Sequence, residues 1–396
     1  MFKSKIFKIA LCVVIMMLFL LFLYFFNQGT QISFNEQGGI SYVRYEKAKV
    51  LRIVSESLEK DETISGLYRG SQELEVEILT GEHQGEVHII KNYLTNLFNV
   101  YGKVGSNIIV CVDTANPEMF LITVSNYHRA TVLYVFVFIF FAVLWGIGGK
   151  KGFKSIIGLL FTFICIIFLF LPMLYRGYSP IFTSVLVVVL ATCATLFLLN
   201  GWSAKTLSAV LGTILGVIIA GTASSISGQL AHITGFHTEE AETLIVIARD
   251  QGMQVGELLF AGILIASLGA IMDVAMSIAS SVHEVYTANP KLRPKELFIS
   301  GINVGRDMMG TMSNTLILAF TGTSLNALIL IYSYHVPYYQ LINMNMVGIE
   351  IIQGLSGSIA VILTVPIIAF ISSRLIPLPK VKKSNKLTSR CQAPFR

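Results

Sequence analysis

Eight apolar runs, each close to the length of a bilayer crossing, constrain this chain more than any other feature. They lie at about 6–26, 130–148, 155–173, 181–200, 206–228, 255–280, 308–332 and 345–376. A transmembrane helix needs about 20 mostly apolar residues, and in hydrocarbon only helices and closed barrels satisfy their own backbone. Charged residues make up 13% of the chain, whereas a soluble domain carries roughly 25%. Most of the chain is therefore expected to be solvated by lipid. The last run holds Pro366, where it can tilt or break. The first run starts with Lys3, Lys5 and Lys8 but ends in "LYFFNQGTQ", with no small-residue cleavage pattern. It reads as a retained anchor, not a signal peptide.

Orientation follows from lysine and arginine, which favour cytoplasmic flanks and short loops. With the N-terminus inside, 18 of the 29 basic residues fall on the inner side, among them Lys150, Lys151, Lys154, Lys205, Lys291, Arg293, Lys295, Arg306, Arg374 and the tail from Lys380. The short outer loops hold Arg176 and Arg249, and the rest lie in one long outer segment, to which the rule does not apply. The expected location is the plasma membrane, multi-pass, with both termini cytoplasmic.

Residues 27–128 differ in character. They hold 13 acidic residues and β-branched or alternating runs at 42–54, 72–79, 86–92, 107–113 and 119–127. Turn signals such as "YRGS", "TGEHQG", "YGKVGS" and "TANPE" separate these runs. The expected fold is an all-α membrane bundle of about eight helices, with a small all-β extracytoplasmic domain, barrel or sandwich, inserted between helices 1 and 2. The chain divides into an anchor (1–26), the β-domain (27–128), a seven-helix bundle (129–377) and a basic cytoplasmic tail (378–396).

Two loops carry helix signals. In "TGFHTEEAETLIVIARDQGM" (234–253), Thr238 is an N-cap candidate, Glu239, Glu240 and Glu242 suit a first turn, and Gly252 suits a stop. After Asn289-Pro290, "RPKELFISGINVG" suits an amphipathic cytoplasmic helix leading into the seventh run.

Small and polar residues fall on helical faces. In the fifth run Ser208, Gly212, Gly216, Ala220, Ser224 and Gly228 recur every four residues. Such a seam lets two backbones approach closely in lipid. In the sixth run Ala266, Gly269, Asp273, Ser277 and Ser280 share a face. At ~1.5 Å per residue Asp273 lies roughly 24 Å from the outer surface, in the inner third of the bilayer. A carboxylate near the bilayer centre costs about 2.5–3.5 kcal/mol on insertion scales, and such residues mark proton or ion paths. In the seventh run Asp307, Thr311, Asn314 and Thr315 share a face, with Asp307 expected at the inner interface; in the eighth, Glu350, Gln353, Gly354 and Gly357 do. Three polar faces in successive spans point to a shared polar interior, with Asp273 and Asp307 near its inner end and Glu350 near its outer end.

Other chemistry is excluded. "GLSG" (354–357) matches the setting of an intramembrane serine nucleophile, but all seven histidines lie in the outer domain, loops or span ends. The Gly-rich context of an intramembrane aspartyl protease is absent, and so is a phosphate-binding loop. No enzyme activity, metal or cofactor is expected, and no aromatic-interleaved basic stripe points to nucleic acid. The expected partners are the lipid bilayer, a small solute or ion, and a protein bound at the outer domain or in a homo- or hetero-oligomer.

Four longer stretches carry a resemblance: "TGEHQGEVHIIKNYL", "VGSNIIVCVD", "LGAIMDVAMSIASSVHEV" and "INVGRDMMGTMSNTLILAFTG". Over roughly 40–375 the chain resembles the YibE/F-like family of bacterial multi-spanning membrane proteins. The resemblance implies a membrane location and an eight-span architecture, and no particular activity. The reading that follows is a transporter or permease-like protein for a small solute or ion, with the β-domain gating or binding a partner. The alternative is a non-transport scaffold or envelope assembly factor.

Overall fold

The computed structural model describes residues 17–28, 43–114 except 63 and 65, and 121–377 except 239. Positions 6–16 of the first run, Glu239 and the basic tail lie outside the described residues. The chain separates into two compact units, Gln28–Gly146 and Met1–Asn27 with Ile147–Arg396.

The first unit contains five strands, β1 (Val43–Lys60), β2 (Tyr68–Ile78), β3 (Val87–Leu94), β4 (Asn107–Asp113) and β5 (Leu121–Tyr127). They form one antiparallel sheet of order β3-β2-β1-β4-β5. Period-two alternation explains the sheet's two faces. In β2, Gln72, Leu74, Val76 and Ile78 are fully buried, while Glu73, Glu75 and Glu77 alternate with them. Ala48, Val50, Ile90, Ile108, Val110, Val112 and Ile122 complete the core. The long β1 serves both halves, pairing with β4 through Val43–Lys49 and with β2 from Ala48 to Lys60. Register shifts near Val50 and Ile53 bend it, and the edge strands β3 and β5 approach each other. Of the two expected forms, the half-closed barrel is the one present.

Two buried amides organise the barrel's end. Gln72 accepts from Gly102 N–H (2.9 Å) and from Asn92 Nδ2 (3.3 Å), and donates to Gly102 C=O (3.3 Å). Asn92 also donates to Val100 C=O at 2.7 Å. Pairing of this kind is what permits amides to be buried.

The helices are α1 (Met17–Asn27), α2 (Ala130–Tyr175), α3 (Pro180–Asn200), α4 (Ala204–Leu230), α5 (Ala241–Gln251), α6 (Leu258–Ala288), α7 (Pro294–Thr323), α8 (Leu325–Ser333), α9 (Tyr338–Ile342) and α10 (Asn345–Leu375). Among the described residues five helices are long and apolar enough to cross a membrane; the pair α7–α8, bent by 61°, brings the number to six. The second and third runs form the single 46-residue helix α2, which contains a backbone break at Gly149 (φ 52°, ψ −132°) and a π-turn at Ile166–Phe170. The amphipathic segment after Pro290 is continuous with the seventh run, because Pro294 at the helix start and Glu296 accepting from Arg293 N–H (2.7 Å) begin one 30-residue helix. Asp307 therefore sits well inside α7, not at its start. Thr238 is not an N-cap. Its hydroxyl donates to Gly235 C=O, the helix starts at Ala241, and Gly252 ends it in the left-handed conformation (φ 70°).

Candidate functional site in the membrane-spanning helices

The site rests on how α4, α6, α7 and α10 pack. All six small residues of the α4 stripe are buried. A Cβ on Gly212 would stand 2.6 Å from Ile368 of α10, and one on Gly216 would overlap Thr364 of α10 and come within 2.6 Å of Ile271 of α6. One on Gly228 would stand 2.5 Å from Phe260 of α6. The stripe is thus the close-packed seam onto α6 and α10.

α7 packs on the same pair through glycines. A Cβ on Gly301 would lie 3.0 Å from Val282, and one on Gly305 would lie 3.1 Å from Ile278. The two contacts fix an antiparallel register between α6 and α7. Extended outward, that register sets Asp273 level with Gly310, between Asp307 and Asn314. Ser267 and Leu316 both border Gly357 of α10 and keep the same register.

Each helix spends its apolar side on these contacts. On α6, Ile271, Val274, Ala275, Ile278 and Val282 are fully buried. Asp273 lies on the opposite side with Gly262, Ala266 and Gly269, and all four are exposed. Gly262 and Gly269 face open space. Ser277 is half-buried. On α7, Asp307, Thr311, Asn314, Thr315 and Leu318 are likewise exposed. Thr311 and Thr315 satisfy themselves on Met308 and Thr311 carbonyls (2.9 and 2.8 Å). Asp273, Arg306, Asp307 and Asn314 make no ion pair or side-chain hydrogen bond among the described residues.

Glu350 and Gln353 stand elsewhere. They are half-buried near the N-terminal end of α10, and Glu350 Oε2 is enclosed without a hydrogen-bond partner among the described residues. Gly301 and Gly305 border Ala369 and Val365 of α10, which sets Glu350 level with the last turns of α7. That is about ten residues, or ~15 Å, from Asp273 toward the N-terminal end of α6. The expected shared interior is therefore not enclosed by one chain. Asp273 and Asp307 look outward from the bundle, and Glu350 is separate from them. The reason is geometric. The large aliphatic and small residues fill the interior, and a helix that buries Ile271 and Ile278 must turn Asp273 away.

Hydroxyls were the part missed. Thr192 of α3 and Ser372 of α10 are buried with no partner among the described residues, and neither lies on a face singled out in the sequence. A cavity of about 390 Å³ opens beneath α5, bordered by Phe236, Ile245, Arg249, Met253 and Glu257. No cluster of three or more metal-ligating side chains occurs among the described residues. In the β-domain, hydrogen bonds from His88 and then His83 hold the Glu86 carboxyl below its ordinary range, and Arg44 does the same for Glu82.

A family model described as YibE/F-like protein matches residues 136–378, more than half of the chain. That segment contains Asp273, Asp307 and Glu350 and leaves out the β-domain. Searches of curated proteins and of solved structures returned no match.

Proposed function

We propose that this chain, which belongs to the YibE/F-like family, moves a small solute or ion across the plasma membrane along the polar face of α6 and α7. The observation that carries the reading is Asp273, a carboxylate at membrane depth with no partner among the described residues. Ionisable residues inside spans are expensive in lipid and mark proton and ion routes. Ser277, Thr311 and Asn314 border the same face, with Asp307 toward its inner end. We assign no enzymatic reaction.

The same reading has eight crossings with both termini inside and the β-domain outside. At ~1.5 Å per residue α2 is about 69 Å long, twice the hydrocarbon thickness of about 30 Å. It supplies two crossings hinged at Gly149, and Lys150, Lys151 and Lys154 mark the inner side. α7 and α8 together make one broken crossing.

The test is flux. Vesicles carrying the chain should release a trapped small ion or solute faster than empty vesicles, and Asp273→Asn should abolish the difference. Wild-type vesicles no leakier than empty ones, across monovalent cations, protons and small organic anions, would defeat the reading.

One observation favours the scaffold alternative. Val87, Ile89 and Tyr93 are exposed along edge strand β3, with Leu97 and Phe98 exposed just beyond it. An apolar edge of this kind suits a protein partner. On that reading vesicles show no flux above empty ones, and Ile89→Lys should abolish cross-linking of the β-domain to its partner in cells.

A further inference from the structure

The face that carries Asp273 cannot be left to lipid. It runs along α6 as Gly262, Ala266, Gly269 and Asp273, all exposed. Beyond the helix's own backbone, no described atom lies within 4 Å of where a side chain on Gly262 or Gly269 would begin. Level with it on α7 stand Asp307, Thr311 and Asn314. Two of these side chains need partners in hydrocarbon and have none among the described residues: the Asp273 carboxylate accepts only, and the Asn314 amide also donates. We infer that this face is the contact between two copies of the chain, and that the polar path is complete only when the second copy closes it.

Three features select a second copy as the occupant. The patch carries both halves of its own recognition, since Asn314 and Arg306 of one copy can donate to Asp273 and Asp307 of the other. A two-fold contact requires such self-complementarity. Copies inserted with the same topology meet at equal depth, and Asn314 and Asp307 flank the level of Asp273 by about one helical turn. The spacing of Gly262, Ala266 and Gly269 supplies the small surface through which two α6 helices can approach. The chain's own apolar run at 130–146 is no substitute, because it contains no amide or charged side chain.

This inference extends the reading above by naming what closes the path, while the contact itself stands whether or not solute flows. The test is cross-linking in native membranes. With Cys12, Cys111, Cys165, Cys193 and Cys391 replaced by serine or alanine, Ala266→Cys is oxidised with copper phenanthroline. A disulfide-linked species of twice the 43.6 kDa chain mass is expected, and none from Leu211→Cys on the exposed side of α4. Gly269→Leu, whose Cβ meets no described side chain of its own chain, should abolish the dimer in detergent while the monomer stays folded. An adduct of any other mass, no adduct at all, or dimers unaffected by Gly269→Leu would overturn the inference. Cross-linked dimers in vesicles without flux would retire the solute reading alone. Flux from a purified monomer would retire the dimer alone.

Discussion

The polar groups of the β-domain and those of the membrane-spanning helices are opposite in kind. Gln72 and Asn92 are almost wholly buried, and their contacts reach Gly102, Val100 and each other within 3.3 Å. Asp273 and Asn314 sit on exposed helix faces and reach nothing described. A buried amide with its partners in place specifies a fold. A charged group held at membrane depth without a partner does nothing for the fold and costs free energy in lipid. The contrast separates polar groups with their partners in place from polar groups without described partners, and substitutions on each side can break it.

The largest effect is expected at the helix seam. Gly216→Leu must displace Thr364 and Ile271, so it should destabilise the membrane unit by about 3 kcal/mol or more, read as a collapse of the melting transition in detergent. An unchanged transition would mean that α4, α6 and α10 do not pack as described. Next, Gln72→Leu strands the Gly102 N–H and C=O and leaves Asn92 Nδ2 with Val100 C=O alone. It should destabilise the β-domain by about 1–3 kcal/mol, visible as early loss of strand signal by circular dichroism, with vesicle flux per folded molecule unchanged.

The smallest effect concerns pH. The carboxyl of Glu86 is held below its ordinary range by His88 and His83. A depressed carboxyl contributes stability above the ordinary carboxylate range and loses it as pH falls through the lowered value. Glu86 is exposed, and exposed pairs contribute little. Glu86→Gln should therefore shift the acid limb of the melting curve only marginally. A large shift would place this cluster with Gln72 and not at the surface.

The β-domain was legible because alternation is a local signal: five runs gave five strands, and only the choice between barrel and sandwich needed the long-range pairing of β1 with both β2 and β4. The small-residue stripe of α4 was legible for the same reason, since a four-residue repeat defines a face without knowledge of its neighbours. The direction in which Asp273 points was not. Periodicity shows that Asp273 shares a side with Gly269 and Ala266, but which side meets the bundle depends on α4, α7 and α10, whose glycines accept Ile271, Ile278 and Val282. Two features were also hidden: the helical continuity across Gly149, because the runs on either side read as independent spans, and the bend at Ser324, because 308–332 reads as one unbroken run.

The central claim is that the two faces of α6 do different work, one holding the fold and the other serving traffic and contact. Asp273→Asn and Ile271→Asn, compared in the same reconstituted vesicles for both melting and flux, test it most directly. The account predicts that Asp273→Asn melts as the wild type and carries no flux, whereas Ile271→Asn melts early, by about 3 kcal/mol, and keeps its flux per folded molecule. Asp273→Asn melting early with flux intact would contradict it.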